Sequence, residues 1–119
     1  MDVPPQIQDK LNQYQMLQQQ MQANAVQRQQ LLLSVRDADQ ALEALTEVAD
    51  EAAVYRAAGT LLVKTSKPQM VKALTEEKEL SEAKEKVLEK QEKKIVEKAE
   101  ALRSDLQKML SGAQGADGG

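Results

Sequence analysis

The sequence predicts a mainly α fold: a long antiparallel two-helix coiled coil joined by a central β-hairpin that assembles with other subunits. Three observations carry this. Apolar residues recur at heptad spacing in two segments of equal length. A short run of β-formers around one glycine separates them. The 119 residues include only 2 tyrosines and neither tryptophan nor phenylalanine. Aromatics bury the most area per residue, so a compact globule normally uses more of them. With 29% charged residues, the composition suits long helices. Two paired helices enclose little interior, so the chain needs partner chains to cover its apolar surface.

The first helix is expected over about 5–48. Pro4 and Pro5 suit a first helical turn, where backbone N–H groups lack partners anyway, and Asp2 can cap it. The series 11, 14, 18, 21, 25, 28, 32, 35, 39, 42 is mostly apolar: Leu11, Tyr14, Met21, Ala25, Leu32, Val35 and Leu42. Gln18, Arg28 and Asp39 are its exceptions. Heptad spacing keeps one seam facing a partner helix.

The β-hairpin is expected over about 54–65. Val54-Tyr55-Arg56-Ala57-Ala58 and Leu61-Leu62-Val63-Lys64-Thr65 have the length and residue types of short strands. Gly59-Thr60 suits a type II′ turn, whose first central residue needs positive φ. A lone two-stranded hairpin is marginal in water, and its edges invite pairing with other chains. Assembly is therefore expected through Val54, Tyr55, Gly59, Leu61, Leu62 and Val63. A plain connecting loop is the alternative.

The second helix is expected over about 67–111. Ser66-Lys67-Pro68-Gln69 reads as a capping box, and Gly112 occupies a usual C-cap position. Leu88, Ile95, Leu102 and Met109 keep a clean seven-residue series, while Lys78, Ser81 and Glu85 interrupt it. There the seam is expected to loosen, or to shift towards Leu80, Ala83 and Val87. Residues 1–111 form one domain in this reading. The tail 112–119, GAQGADGG, has little to bury and is expected to be disordered.

The two helical segments match in length, each about 66 Å as a helix. Folded back, they pair Ile7 with Met109, Tyr14 with Leu102, Met21 with Ile95 and Leu42 with Leu74. Two weaker layers pair Arg28 with Leu88 and Val35 with Ser81. A straight dimer without the fold-back is the alternative, and the interruption argues against it.

Charge and motif content exclude several functions. Formal net charge is −3, with acids and bases interleaved rather than gathered in a basic stripe, so nucleic acid is not an expected partner. No apolar run approaches the roughly 20 residues of a membrane span, and no basic segment followed by an apolar core opens the chain. A cytoplasmic location without membrane contact is expected. The chain has no histidine and no cysteine. With no phosphate loop or metal-ligand cluster either, no catalytic residue, metal or cofactor is expected.

VPPQIQ, a long helix, VYRAAGTLLVKTSK and a second long helix together resemble the archaeal prefoldin β subunit family over about residues 3–110. The specific part is Val54 to Lys67, above all Tyr55, Gly59, Leu61-Leu62 and Val63-Lys64. The resemblance implies a hetero-hexamer of two α and four β subunits. Its hairpins join into a β-barrel body, and its coiled coils hang from that body. It further implies an ATP-independent holdase that captures unfolded proteins at the coiled-coil tips and passes them to a group II chaperonin. In the fold-back the chain ends form the tip, so Val3, Ile7, Leu11, Tyr14, Leu102, Leu106, Met109 and Leu110 are the expected client-binding residues. Lys98 and Lys108 are candidates for meeting acidic chaperonin surfaces. A coiled-coil scaffold without client binding is the competing function.

The segment from Leu11 to Gln30 holds nine glutamines, read as a solvated helix face. Glu82–Lys86 and Glu89–Lys93 are expected as surface i, i+4 pairs.

Overall fold

In a computed structural model, which describes residues 3–118 and side chains over 3–112, the element order is α1 (Pro5–Thr46), β1 (Val54–Ala58), β2 (Leu61–Thr65) and α2 (Lys67–Gly118). Asp2, the expected cap of α1, lies outside the described residues. The Pro4 carbonyl accepts hydrogen bonds from the Ile7 and Gln8 amides, both at 3.0 Å, which anchors the first turn.

Helix α1 stops two residues short of expectation. Its end tightens into i→i+3 bonds, Glu47 N to Ala44 O at 3.3 Å and Val48 N to Leu45 O at 3.2 Å. Lys67 Nζ then donates to Val48 O at 2.8 Å and pairs with Asp50 at 3.3 Å. The start of α2 is thus tied to the segment leaving α1. At α2, the Gln69 amide donates to Ser66 Oγ at 3.3 Å, one arm of the capping box. The other arm is replaced, since Gln69 Oε1 accepts from the Thr65 hydroxyl at 3.1 Å.

At the far end, α2 runs to Gly118 rather than stopping before Gly112. A C-cap glycine ends a helix by adopting positive φ. Gly59 is the positive-φ glycine among the described residues, so Gly112 does not act as a cap.

The chain divides into two compact units, Met1–Gln27 with Leu88–Gly119 and Arg28–Val87. In the first, α1 and α2 run antiparallel: Lys10 pairs with Asp105 at 3.5 Å, and Asn24 Nδ2 donates to the Leu88 carbonyl at 3.0 Å. Ile7, Ala99 and Leu106 are buried there. In the second unit, Ala38, Leu45 and Leu74 form a buried cluster. Ala41, Leu42, Val54 and Met70 pack against it, so the base of the hairpin rests on helix. Leu42 and Leu74, expected as one layer, share this cluster.

The seam of α1 differs from the expected series in one of its two halves. The inward residues are Ile7, Tyr14, Met21, Arg28, Val35 and Leu42, interleaved with Lys10, Leu17, Asn24, Leu31, Ala38 and Leu45. The first set follows expectation. The second lies one residue earlier than 11, 18, 25, 32 and 39, and those five face outward. Steps of three and four alternate along a heptad, and the order of the two steps decides which neighbour turns inward. Only Lys10, Asn24 and Arg28 are polar in the true seam, and each has a partner across it.

In this stretch of α2, Lys78, Ser81, Glu82, Glu85 and Leu88 are half-buried, whereas Leu80, Ala83 and Val87 are exposed. The seam therefore does not shift. It stays in phase and is filled with charge. Arg28 donates to Glu85 Oε1 from Nε at 2.9 Å and from Nη2 at 2.7 Å, where Leu88 was the expected partner. Lys78 pairs with Asp39 at 2.6 Å. Glu82 turns to Lys78 at 3.8 Å rather than to Lys86, while the expected Glu89–Lys93 pair is present at 4.0 Å.

Candidate functional site

Two surfaces follow from these elements. The first is the hairpin. Its antiparallel register pairs Val54 with Thr65, Tyr55 with Lys64, Arg56 with Val63, Ala57 with Leu62 and Ala58 with Leu61. Opposed residues share a face and successive residues alternate. One face carries Val54, Arg56 and Ala58 opposite Thr65, Val63 and Leu61. It turns its base towards the helices, where Val54 packs on the Ala38–Leu45–Leu74 cluster and Arg56 pairs with Glu77. The other face carries Tyr55, Ala57, Leu62 and Lys64, all exposed.

Gly59 has φ +61° and no non-glycine residue among those described has positive φ. That pattern agrees with a II′ turn, in which only the first central residue is left-handed. Ala57 and Ala58 are paired strand residues despite weak β-propensity. Of the residues expected to drive assembly, Tyr55, Leu61, Leu62 and Val63 are exposed, Leu62 at 74%. Val54 is not among them, because the chain's own helices half-cover it.

The second surface belongs to the unit that holds both chain ends. The eight residues expected there divide into three groups. Ile7 and Leu106 are 5% and 7% exposed and fill the seam, so they are core in this chain. Tyr14, Leu102 and Met109 are half-buried along it. Val3, Leu11 and Leu110 are exposed. Lys98 and Lys108 are both exposed.

Sequence reasoning missed a groove in this unit. Met16 and Leu17 of α1 and Ala101 and Leu102 of α2 line it with apolar surface, and its volume is about 360 Å³. Gln13, Gln20 and Lys98 supply the polar lining. Taking 17 rather than 18 as the seam position would have placed Leu17 here. A second groove meets the first at Gln20, with Asn24, Gln27, Gln91 and Ile95 along it. Asn24 is buried, and its Oδ1 has no hydrogen-bond partner.

No His, Cys, Asp or Glu cluster able to hold a metal occurs among the described residues, and none of their helices is long and apolar enough to cross a membrane. Both surfaces expose apolar side chains.

The comparisons with known proteins agree with this geometry. The prefoldin subunit family profile matches residues 8–113. The prefoldin subunit beta of Archaeoglobus fulgidus is 49% identical over 81 residues, covering 68% of this chain and 70% of the relative. That of Methanosarcina acetivorans is 44% identical over 78 residues, covering 66% and 67%. The crystal structure of the prefoldin beta subunit from Thermococcus strain KS-1 superposes with a TM-score of 0.80 at 39% identity, over 92% of this chain and 96% of that one. The beta2 subunit of the same strain gives 0.68 at 25% identity, over 76% and 97%. The two helices, the single hairpin and these matches place the chain in the prefoldin subunit family, a family of chaperones that assemble as oligomers.

Proposed function

We propose that this chain is the β-type subunit of an ATP-independent holdase. It joins a prefoldin α subunit and further β subunits, two α and four β in all, and works in the cytoplasm. The assembly captures unfolded proteins and passes them to a group II chaperonin. Tyr55, Leu61, Leu62 and Val63 pair the hairpin with its neighbours, and Gly59 shapes the turn that presents them. Val3, Leu11 and Leu110 make first contact with clients. Tyr14, Leu102 and Met109 join as the helix ends fray, and Ile7 and Leu106 become available only when that seam opens. Lys98 and Lys108 serve the chaperonin contact.

One observation carries this reading. Among the described residues, fifteen large apolar side chains are exposed, whereas only six apolar residues are buried. Four of the fifteen, Tyr55, Leu61, Leu62 and Val63, lie together on the hairpin, and contiguous exposed apolar surface marks an interaction site. Each client contact is weak, about 25 cal/mol per Å² buried, and several subunits acting together raise the effective affinity.

The test is suppression of aggregation. The chain is assembled with its α partner, and a denatured client is diluted into the complex. Protection is expected, and loss of protection with assembly intact is expected when residues 1–10 and 103–119 are deleted. An intact assembly that never protects would leave only the scaffold function.

A further inference from the structure

We infer that the groove between Met16–Leu17 and Ala101–Leu102 is a client subsite for a large aliphatic side chain followed by an acidic residue. This rests on the client-capture reading and gives it a chemical preference.

The argument starts from Lys98. Lys10, Lys78 and Lys93 are each held by a carboxylate, Asp105, Asp39 and Glu89, whereas Lys98, like several other lysines of α2, is not. Lys98 has no ion pair or hydrogen bond among the described residues. Its sequence explains this. The positions three and four residues away, where a helical partner would sit, are Lys94, Ile95, Ala101 and Leu102. An unpaired cation therefore borders an apolar groove.

The rest of the polar lining is neutral. Gln13 and Gln20 carry no charge, so Lys98 is the one charged group among the lining residues. Met16 is 59% exposed, and a methionine adapts to varied apolar partners. The volume of about 360 Å³ falls at the lower end of the range for binding clefts, which is about 300–1,000 Å³. A Leu or Ile side chain fits against Met16, Leu17 and Leu102, and a neighbouring Asp or Glu reaches Lys98. Selection by charge at one point and apolar contact elsewhere leaves the site broad without making it indifferent.

Two labelled unstructured peptides test this, identical except for Leu-Asp in one and Leu-Lys in the other. Binding to the complete wild-type assembly is followed by fluorescence anisotropy. The acidic peptide is expected to bind about two- to fivefold tighter, the range of a partly exposed ion pair. Lys98→Glu is expected to reverse the order. Met16→Ser, at an exposed position, is expected to weaken both peptides and keep their order. A wild type that protects a denatured client yet does not rank the peptides would overturn the subsite and leave client capture standing. A Lys98→Glu assembly that still prefers the acidic peptide would overturn it as well. Absence of any protection by the wild type would remove client capture, and the subsite with it.

Discussion

Within the unit Arg28–Val87, two regions have opposite polarity from what burial alone favours. The hairpin leaves Tyr55, Leu61, Leu62 and Val63 in solvent. The helix seam holds Arg28, Glu85 and Lys78 half-buried. Apolar residues are outside and charges are inside. The difference separates two kinds of information. Exposed β-formers on a two-stranded hairpin leave both outer edges open to pairing with another chain. Charges in a seam add little net stability, since desolvation offsets their attraction, but they penalise every register that leaves one unmatched. In the proposed assembly the hairpin makes the contact with other subunits, and the seam favours one register of the fold-back.

The largest effect comes from breaking the hairpin side of this contrast. Leu62→Asp puts a carboxylate on the fully exposed face beside Tyr55 and Lys64, where the free chain tolerates it and an assembled sheet does not. Light scattering after gel filtration is expected to show loss of the oligomer with helix content retained. Gly59→Val reaches the same end through the backbone. A Cβ at Gly59 meets nothing within 4 Å, and the backbone at φ +61° costs a non-glycine residue about 1–3 kcal/mol. A normal oligomer in both variants would show that the hairpin does not carry assembly.

The hairpin was also the most legible part of the sequence. Its strands fall at the expected bounds, with the one glycine between two runs of β-formers at the turn. The seam was half legible. Ile7, Tyr14 and Met21 pointed inward as read, but Leu11 and Leu32 drew the second series one residue too far along. Both are apolar and both are exposed, while the true positions hold Lys10, Asn24 and Leu31. A polar residue in a seam looks like an error until its partner across the helix pair is known. Arg28 was matched to Leu88 for the same reason, although its side chain ends on Glu85. The eight tip residues could not be sorted into core and surface from the sequence either. Leu106 and Leu110 lie one turn apart, and only the packing of α1 decides that the first is core and the second is surface.

A smaller effect is expected from the Arg28–Glu85 pair. Arg28→Leu alone strands a half-buried carboxylate, at a cost of about 1–3 kcal/mol. Arg28→Leu with Glu85→Leu restores an apolar seam and is expected to be neutral or stabilising by about 1 kcal/mol. A double-mutant cycle by denaturant unfolding measures the coupling. The sharper readout is register. A disulfide placed across the seam in the wild-type register is expected to form less completely in the double leucine variant, because nothing then penalises a slip. Equal yields would assign the pair to stability alone.

The smallest effect is a dependence on pH at Lys78. Asp39 accepts its hydrogen bond at 2.6 Å, and the nearby Asp39 and Glu82 charges act in the same direction. Together they hold the ammonium above its ordinary pKa of 10.5, with Asp39 the main cause and a small opposing effect from burial. A lysine raised in the folded state stabilises it fully below the unfolded pKa and loses that contribution as pH rises through the folded one. Thermal unfolding between pH 9 and 12, a range chosen about the ordinary lysine pKa, is therefore expected to fall more steeply for the wild type than for Lys78→Met. The two proteins differ only at residue 78, so the difference between the two curves isolates this pair. Parallel curves would mean that Lys78 is solvated well enough to ignore Asp39, and that the charged seam begins at Arg28–Glu85 rather than here.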